Sequence, residues 1–566
     1  MRDLETGARN GAEAVLLALK EAGVDWFLAN AGTDFPTIIE GLAHLGGGAP
    51  TPVTVPHEGV AVGMAHGCWL ATGRPQAVMV HVNVGLANAA MGVINAASDD
   101  VPMLVMSGRT PITEAGREGS RATPIQYGQE MYDQASIVSD VVKHHYEMRY
   151  PEQGGPMVAR ALSIAAAAPG GPVYLSLPRE PLAEALPAPA PGPGPAPAAV
   201  LAPAAALAPV APARPDADAI ERLAGWTREA GRPVILAQRG DPEGRVGAAL
   251  SRLANAHGIG VAEPFPVRNL LASDDPALLG YDPGAAKGAD LLIVLDAGVP
   301  WIEKLHAPAP GVRVAHIAPD PLFRRMPVRG YRSDLAIAAD PLRAIEALEA
   351  ALGLPSPAAR ARAAAMRPPS VPDPRPTDPI TPEWLSRCVS DAMDEDAVAF
   401  SELGLVPSAM RLRGPNRFFS NPHSGGLGWA LPAAMGAQLA RPGRLTVAAV
   451  GDGSYMFANP PACHQVMEAM GLPVLTVVKN NAMWNAVRRS VIRSYPEGAA
   501  ARMNAMPLTS LAPLPDFAAI ARASRAHAER VERGADLPAA LARALEAVRG
   551  GRPALLDVAV AATDAF

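Results

Sequence analysis

Cysteine is scarce in this chain. The three present in 566 residues, Cys68, Cys388 and Cys463, stand too far apart to pair as metal ligands, so neither a disulfide framework nor a zinc site is expected. No uninterrupted apolar run reaches membrane length. The longest uncharged apolar stretch, 186–213, is broken throughout by prolines, which excludes a membrane helix. Charge of one sign is also missing: 49 Lys and Arg against 55 Asp and Glu leave a formal net charge of −6, with 18% charged residues. There is no basic patch to meet nucleic acid and no acidic tail to suggest a disordered interactor. The first residues, MRDLETGARNGAEAV, lack the basic-then-apolar pattern of a signal peptide, so a cytoplasmic location and no membrane partner are expected. No short-period repeat is visible.

What is present is a chain too long for one core, since single cores stop growing near ~250–300 residues. Two proline-rich stretches divide it. The first, 186–215, is Ala/Pro low complexity and reads as an extended connector. The second, 354–382, has an ARARAAAM core that reads as a short helix. The resulting blocks are 1–185, 216–353 and 383–566. Each alternates short apolar strands with helices: VDWFLAN, TPVTVP, QAVMVHV, PMLVMSG and GPVYLSLP in the first, PVILAQRG, DLLIVLDAG and RVAHIAPD in the second, AVAFSELG and RPALLDVAV in the third. Such alternation predicts α/β architecture, with three doubly wound parallel sheets wrapped by helices.

The third block carries the most informative pattern. LTVAAV (445–450) leads into Gly451-Asp452-Gly453, PPACHQVMEAMG (460–471) reads as a helix, and LPVLTVVKNN (472–481) is a second strand ending at Asn480-Asn481. A right-handed strand–helix–strand unit makes the two strands parallel, so Asp452 and Asn481 should converge at the edge where open α/β sheets bind ligands. A carboxylate, an amide oxygen and a nearby backbone carbonyl, Met483 by position, suit Mg²⁺. The glycines should let backbone approach a diphosphate. Taken separately, Gly-Asp-Gly is more often a plain turn and Asn-Asn a loop cap.

Together they resemble the thiamine diphosphate signature of the family containing acetolactate synthase, pyruvate decarboxylase and benzoylformate decarboxylase. The three blocks follow the order of that family's pyrimidine-binding, middle and diphosphate-binding domains, so the resemblance covers nearly the whole chain. It implies thiamine diphosphate and Mg²⁺ as cofactors and a 2-oxo acid as substrate. The implied assembly is a homodimer or homotetramer with active sites at the subunit interface. The implied activity is non-oxidative decarboxylation through an enamine, with carboligation as a second fate; an acetolactate synthase-like carboligase and a non-catalytic scaffold of the same fold are the alternatives. ILAQRGDPEG (235–244) in the middle block is no glycine-rich phosphate loop, so FAD is not supported.

The resemblance also assigns roles residue by residue. Glu58, in VPHEGVAVGMAHG, matches the glutamate that hydrogen-bonds the cofactor's aminopyrimidine; its ordinary reading is a helix-start carboxylate. Leu427, within NPHSGGLGWALPAAMG, matches the large apolar residue beneath the cofactor. Gly404, Leu405, Gly451, Gly453 and Ser454 join Asp452, Asn481 and Met483 around the cofactor, the last three as metal ligands. His81 stands where benzoylformate decarboxylase carries a proton-transferring histidine and many acetolactate synthases have Gly-Pro-Gly. Thr33 matches a substrate-contacting position, or else caps the following helix. Trp484 and Val487, in NNAMWNAVRR, and Gln129 are further substrate-side positions. The NNAMWNAVRR pattern is closer to the decarboxylases, with Ser490 or a neighbour where the synthases have tryptophan. GQEMYDQASIVSDVVKHH (128–145) is similar to a synthase run through Gln129, Glu130 and Lys143. Arg488, Arg489 and Arg493 could hold a carboxylate, but at helical spacing arginines more often line a solvated face.

Overall fold

The computed structural model describes residues 7–187, 209–370 and 373–562. Residues 188–208 of the first proline-rich stretch and 371–372 of the second lie outside them. The helix expected at ARARAAAM is present as Pro357–Ala365. The chain divides into two compact units, Met1–Val210 with Pro422–Arg441, and Ala211–Asn421 with Pro442–Phe566.

The first unit is built on one six-stranded sheet of β1 (Trp26–Ala29), β2 (Thr51–Thr54), β3 (Ala77–Val80), β4 (Met103–Arg109), β5 (His145–Glu147) and β6 (Pro172–Pro178), in the order β2-β1-β3-β4-β6-β5. All its pairings are parallel. β3 is buried at every position, as a central parallel strand covered on both faces must be. The helices that matter for function are α1 (Pro36–Leu45), α2 (Glu58–Thr72) and α3 (Val82–Ser98), each following a strand, and α4 (Ala430–Ala440).

α2 is apolar nearly all round, with Val60 to Cys68 buried without a break. It packs against α4 at backbone distance. A Cβ on Gly67 would lie 1.8 Å from the Ala433 carbonyl oxygen, and one on Gly436 would lie 1.9 Å from that of Met64. Backbone cannot yield as a flexible side chain would. Gly67→Ala is therefore expected to cost at least about 1–3 kcal/mol, read as a lower urea midpoint at unchanged slope; an unchanged midpoint would contradict this packing.

The second unit holds two sheets. One runs β12-β11-β10-β7-β8-β9, from β7 (Pro233–Ala237), β8 (Gly260–Ala262), β9 (Leu278–Gly280), β10 (Leu291–Leu295), β11 (Arg313–Ala318) and β12 (Leu335–Ala338). The other runs β14-β13-β15-β16-β18-β17, from β13 (Val398–Glu402), β14 (Phe418–Ser420), β15 (Thr446–Gly451), β16 (Leu475–Asn480), β17 (His527–Val531) and β18 (Ala554–Ala559). All pairings in both are parallel. Three doubly wound parallel sheets are thus present, as the strand–helix alternation predicts. Between β15 and β16 come α5 (Asp452–Phe457) and α6 (Pro460–Met470); α7 (Asn485–Ser494) follows β16. The register Gly451↔Lys479 sets the ends of β15 and β16 side by side. Among the described residues, no helix is long and apolar enough to cross a membrane.

Candidate functional site

In the second unit, a cavity of about 200 Å³ opens at the carboxyl edge of the third sheet. It lies where the chain leaves β13, β15 and β16, at the reversal of strand order that makes a crevice in open α/β sheets. Leu405 lines it after β13; Gly451, Asp452, Gly453 and Ser454 after β15; and Lys479, Asn481, Met483 and Trp484 at the end of β16. Gly404 is not in the lining. It presses on the backbone of β15, where its Cβ would meet the Ala449 carbonyl carbon at 2.3 Å.

Asp452 organises the cavity. Its Oδ1 accepts from the Gly453 amide at 2.8 Å and its Oδ2 from the Asn481 amide at 3.1 Å. Asn481 Oδ1 in turn accepts from the Met483 amide at 3.2 Å. Ala482, at φ 56°, makes the left-handed turn that brings Met483 back to the cavity. The two asparagines divide the work. Asn480 is buried and donates to Asp557 Oδ1 at 2.8 Å, while Arg530 holds Asp557 Oδ2 at 2.8 Å, so Asn480 braces the strand end and Asn481 faces the cavity.

Burial pushes the Asp452 carboxyl above the usual carboxylate range, although backbone amides from Gly453, Ala482, Asn481 and Met483 oppose it. Burial draws Lys479 down to about 8, with Arg489 adding to the effect and Asp452 and Glu383 opposing it. Asp452, the Asn481 side-chain oxygen and the Met483 carbonyl, in a lining that also holds Glu383 and has no thiolate or imidazole, form the oxygen donor set a hard divalent cation takes. The donors therefore fit the metal expected from the motif. Neither Gly451 nor Gly453 has positive φ; Gly453 is needed because a Cβ there would strike the Trp484 ring at 2.1 Å.

The first unit carries a second cluster. Glu58 is the first residue of α2, after His57, whose Nδ1 accepts from the Gly59 amide at 3.2 Å. The carboxylate is buried. Its Oε2 accepts from Asn88 Nδ2 at 3.2 Å, and its Oε1 lies over Gly85, 3.3 Å from where a Cβ would stand. His81 ends the loop after β3, with Nδ1 2.5 Å from Asp34 Oδ1 and Nε2 3.1 Å from Gln129 Nε2. Asp34 is buried, and its Oδ2 also accepts from the Val82 amide at 3.2 Å. Two glycines make room for the pair: a Cβ at Gly32 would sit 2.1 Å from His81 Nδ1, and one at Gly108 1.7 Å from Asp34 Oδ2. The bond to Asp34 raises His81 above the ordinary histidine range against the opposing effect of burial, with Glu58 contributing further.

Other expected residues fall as follows. Leu427 is half-buried in the loop before α4, which Asn95 secures by donating to Gly426 O at 2.9 Å and accepting from Ser424 Oγ at 2.7 Å. Thr33 is exposed and does not cap α1. Phe35 is the N-cap there, with no side-chain bond, because its ring has no acceptor to offer the first-turn amides. Val487 is 47% exposed on α7 and outside the cavity lining. Of the three arginines on α7, Arg489 lines the cavity and Arg488 and Arg493 do not. Glu130 is engaged by Arg109, Thr110 and Arg121, and Lys143 by the carbonyls of Ala167 and Pro169 at 2.5 and 2.7 Å, so both hold loops in place. Asp34, Asn88 and Asn95 escape sequence reasoning, since a single short polar residue carries no spacing signal. Lys479 does carry one, as a charge inside an apolar strand.

Residues 9–137 match the thiamine pyrophosphate enzyme N-terminal TPP binding domain, and residues 404–558 the C-terminal TPP binding domain of the same enzymes. Benzoylformate decarboxylase of Pseudomonas aeruginosa is 28% identical over 534 residues, covering 89% of this chain and 90% of that protein. The acetolactate synthase large subunit of Parasynechococcus marenigrum is 28% identical over 578 residues, covering 97% and 87%. Among solved structures, benzoylformate decarboxylase from Polynucleobacter necessarius has the same fold, with a TM-score of 0.79 at 20% identity over 98% of this chain and 99% of that one.

Proposed function

We propose that this chain, which belongs to the thiamine diphosphate-dependent enzyme family, is a cytoplasmic enzyme that decarboxylates a 2-oxo acid without oxidation and releases an aldehyde. Its domains would be a pyrimidine-binding domain at 1–185, a middle domain at 216–353 and a diphosphate- and metal-binding domain at 383–566. The assembly supported by the resemblance is a homodimer or homotetramer with active sites at the subunit interface.

Bound thiamine diphosphate supplies the nucleophilic carbon and the electron sink that let a 2-oxo acid shed CO₂. The chain's residues do the rest. Asp452, Asn481 and the Met483 carbonyl would hold Mg²⁺ and through it the diphosphate, in the cavity that Leu405, Gly451, Gly453 and Ser454 also line, and Leu427 is the apolar residue the resemblance assigns to the cofactor. Glu58, fixed at one oxygen by Asn88, would share a proton with a pyrimidine nitrogen through the other. His81 supplies the proton that completes the aldehyde. Asp34 accepts Nδ1–H, so the exchangeable proton is carried at Nε2. Gln129 can present either its carbonyl or its amide to that nitrogen, matching both charge states. Thr33, Gln129, Trp484 and Val487 are the positions proposed to face the substrate.

The observation that carries the decarboxylase reading over the carboligase one is this built proton donor, Asp34–His81–Gln129. An acetolactate synthase-like carboligase is the second reading, favoured by 28% identity spread over 97% of the chain. Product analysis separates them. Aldehyde from an aromatic or branched 2-oxo acid supports the first; acetolactate from pyruvate, with no aldehyde from any acid, would replace it with the second.

The proton-donor assignment has a pH signature. A donor must be protonated, so turnover should fall as pH rises through the His81 pKa. Asp34→Asn removes the charge that raises it, so the alkaline limb of kcat should move to lower pH. A limb that does not move would remove His81 as the donor.

A further inference from the structure

Lys479 is the one charged residue of β16, whose other members before Asn480 are Leu475, Thr476, Val477 and Val478. A central parallel strand of this kind is ordinarily apolar throughout. Its register partner is Gly451, so it stands beside the start of the Gly451-Asp452-Gly453 turn. Both Lys479 and Asn481 line the cavity, whereas Asn480 between them is turned to Asp557.

The ammonium has no protein partner to account for its position. Among the described residues it makes no hydrogen bond and no ion pair. The charged groups around it are Asp452 and Glu383, which favour its charge, and Arg489, which opposes it. Lys479 is half-buried, and holding a cation partly out of water without a bonded partner is unfavourable. Such a residue is explained when an anion enters the cavity to meet it. The cavity is the one whose rim carries Asp452, Asn481 and Met483.

We infer that Lys479 is a protein-borne cation for the diphosphate, its Nζ–H donating to a phosphate oxygen inside the cavity. The inference rests on the reading of this cavity as the diphosphate and metal site. A lysine binds phosphate as a point charge, so part of the neutralisation otherwise left to the divalent ion comes from the chain itself. Affinity for diphosphate should therefore persist in part when the metal is chelated.

The test is a titration of the full chain, followed by quenching of tryptophan fluorescence, because Trp484 lines the cavity. Thiamine diphosphate, inorganic pyrophosphate and unphosphorylated thiamine are each titrated with Mg²⁺ and with EDTA, into wild type, Lys479→Met and Lys479→Arg. Lys479→Met preserves the length and apolar stem of the side chain, and thermal melting establishes its fold beforehand. Loss of a charge-assisted bond should weaken thiamine diphosphate and pyrophosphate by about 10- to 100-fold. Thiamine affinity should be unchanged, and Lys479→Arg should recover most of the loss. Equal pyrophosphate affinity in wild type and Lys479→Met overturns the inference. So does a parallel loss of thiamine, which would make the residue structural. If wild type binds neither thiamine diphosphate nor pyrophosphate even with Mg²⁺, the reading of the cavity falls and the inference with it.

Discussion

Glu58→Gln should keep thiamine diphosphate binding and lose about 10²- to 10⁴-fold in turnover, the usual range for one general acid–base group. The substitution is close to isosteric. It leaves α2 intact, because the helix is capped by His57 and buried along its length. A glutamine oxygen can still accept from Asn88 as Glu58 Oε2 does at 3.2 Å. Only the capacity to take and return a proton at the other oxygen is lost. Cofactor affinity and turnover thus separate: the first should stay near wild type while the second collapses. Equal loss of both would mean that Glu58 binds rather than activates, and unchanged turnover would sink its assigned role.

Asp452→Ala should act at the opposite end, on binding. Asp452 is the only carboxylate of the proposed donor set and also ties Gly453 to Asn481 through its two oxygens. Its removal takes away both the charge that attracts Mg²⁺ and the geometry of the loop that presents the other two donors. A ligand at 100 times its Kd stabilises a fold by about 2.7 kcal/mol, so wild type should melt higher when thiamine diphosphate and Mg²⁺ are added together. Asp452→Ala should show no such rise at the same concentrations. Asp452→Asn separates the two effects, since its amide keeps an acceptor for the loop without the charge. If Asp452→Ala gains as much thermal stability from cofactor and metal as wild type does, Asp452 is not a metal ligand.

The fold was legible because its central strands are long and apolar on both faces. VAAV before Gly451 and TVV before Lys479 are each buried within β15 and β16 and leave no alternative reading. Strands β5, β8, β9, β12, β14 and β17 carry no such signal. They are three to five residues long and lie at or next to sheet edges, where β5 and β17 are partly exposed and period-2 alternation has too few residues to register. The candidate site divides along the same line. Asp452 and Asn481 were legible because a strand–helix–strand unit fixes where its two carboxyl ends meet. Asp34 was not, since its bond to His81 joins residues 47 apart through a three-dimensional contact that no spacing encodes. The capping alternative for Thr33 could not be settled from sequence, since a polar residue before a helix resembles a cap, whereas the N-cap is Phe35, two residues on.

The most direct measurement is CO₂ release from a panel of aliphatic, branched and aromatic 2-oxo acids by the purified chain, with and without added thiamine diphosphate and Mg²⁺. Release is expected from at least one acid, dependent on both additions and abolished in Glu58→Gln. Release that is indifferent to the cofactor, or no release from any acid by a chain that has bound it, would contradict the proposed function.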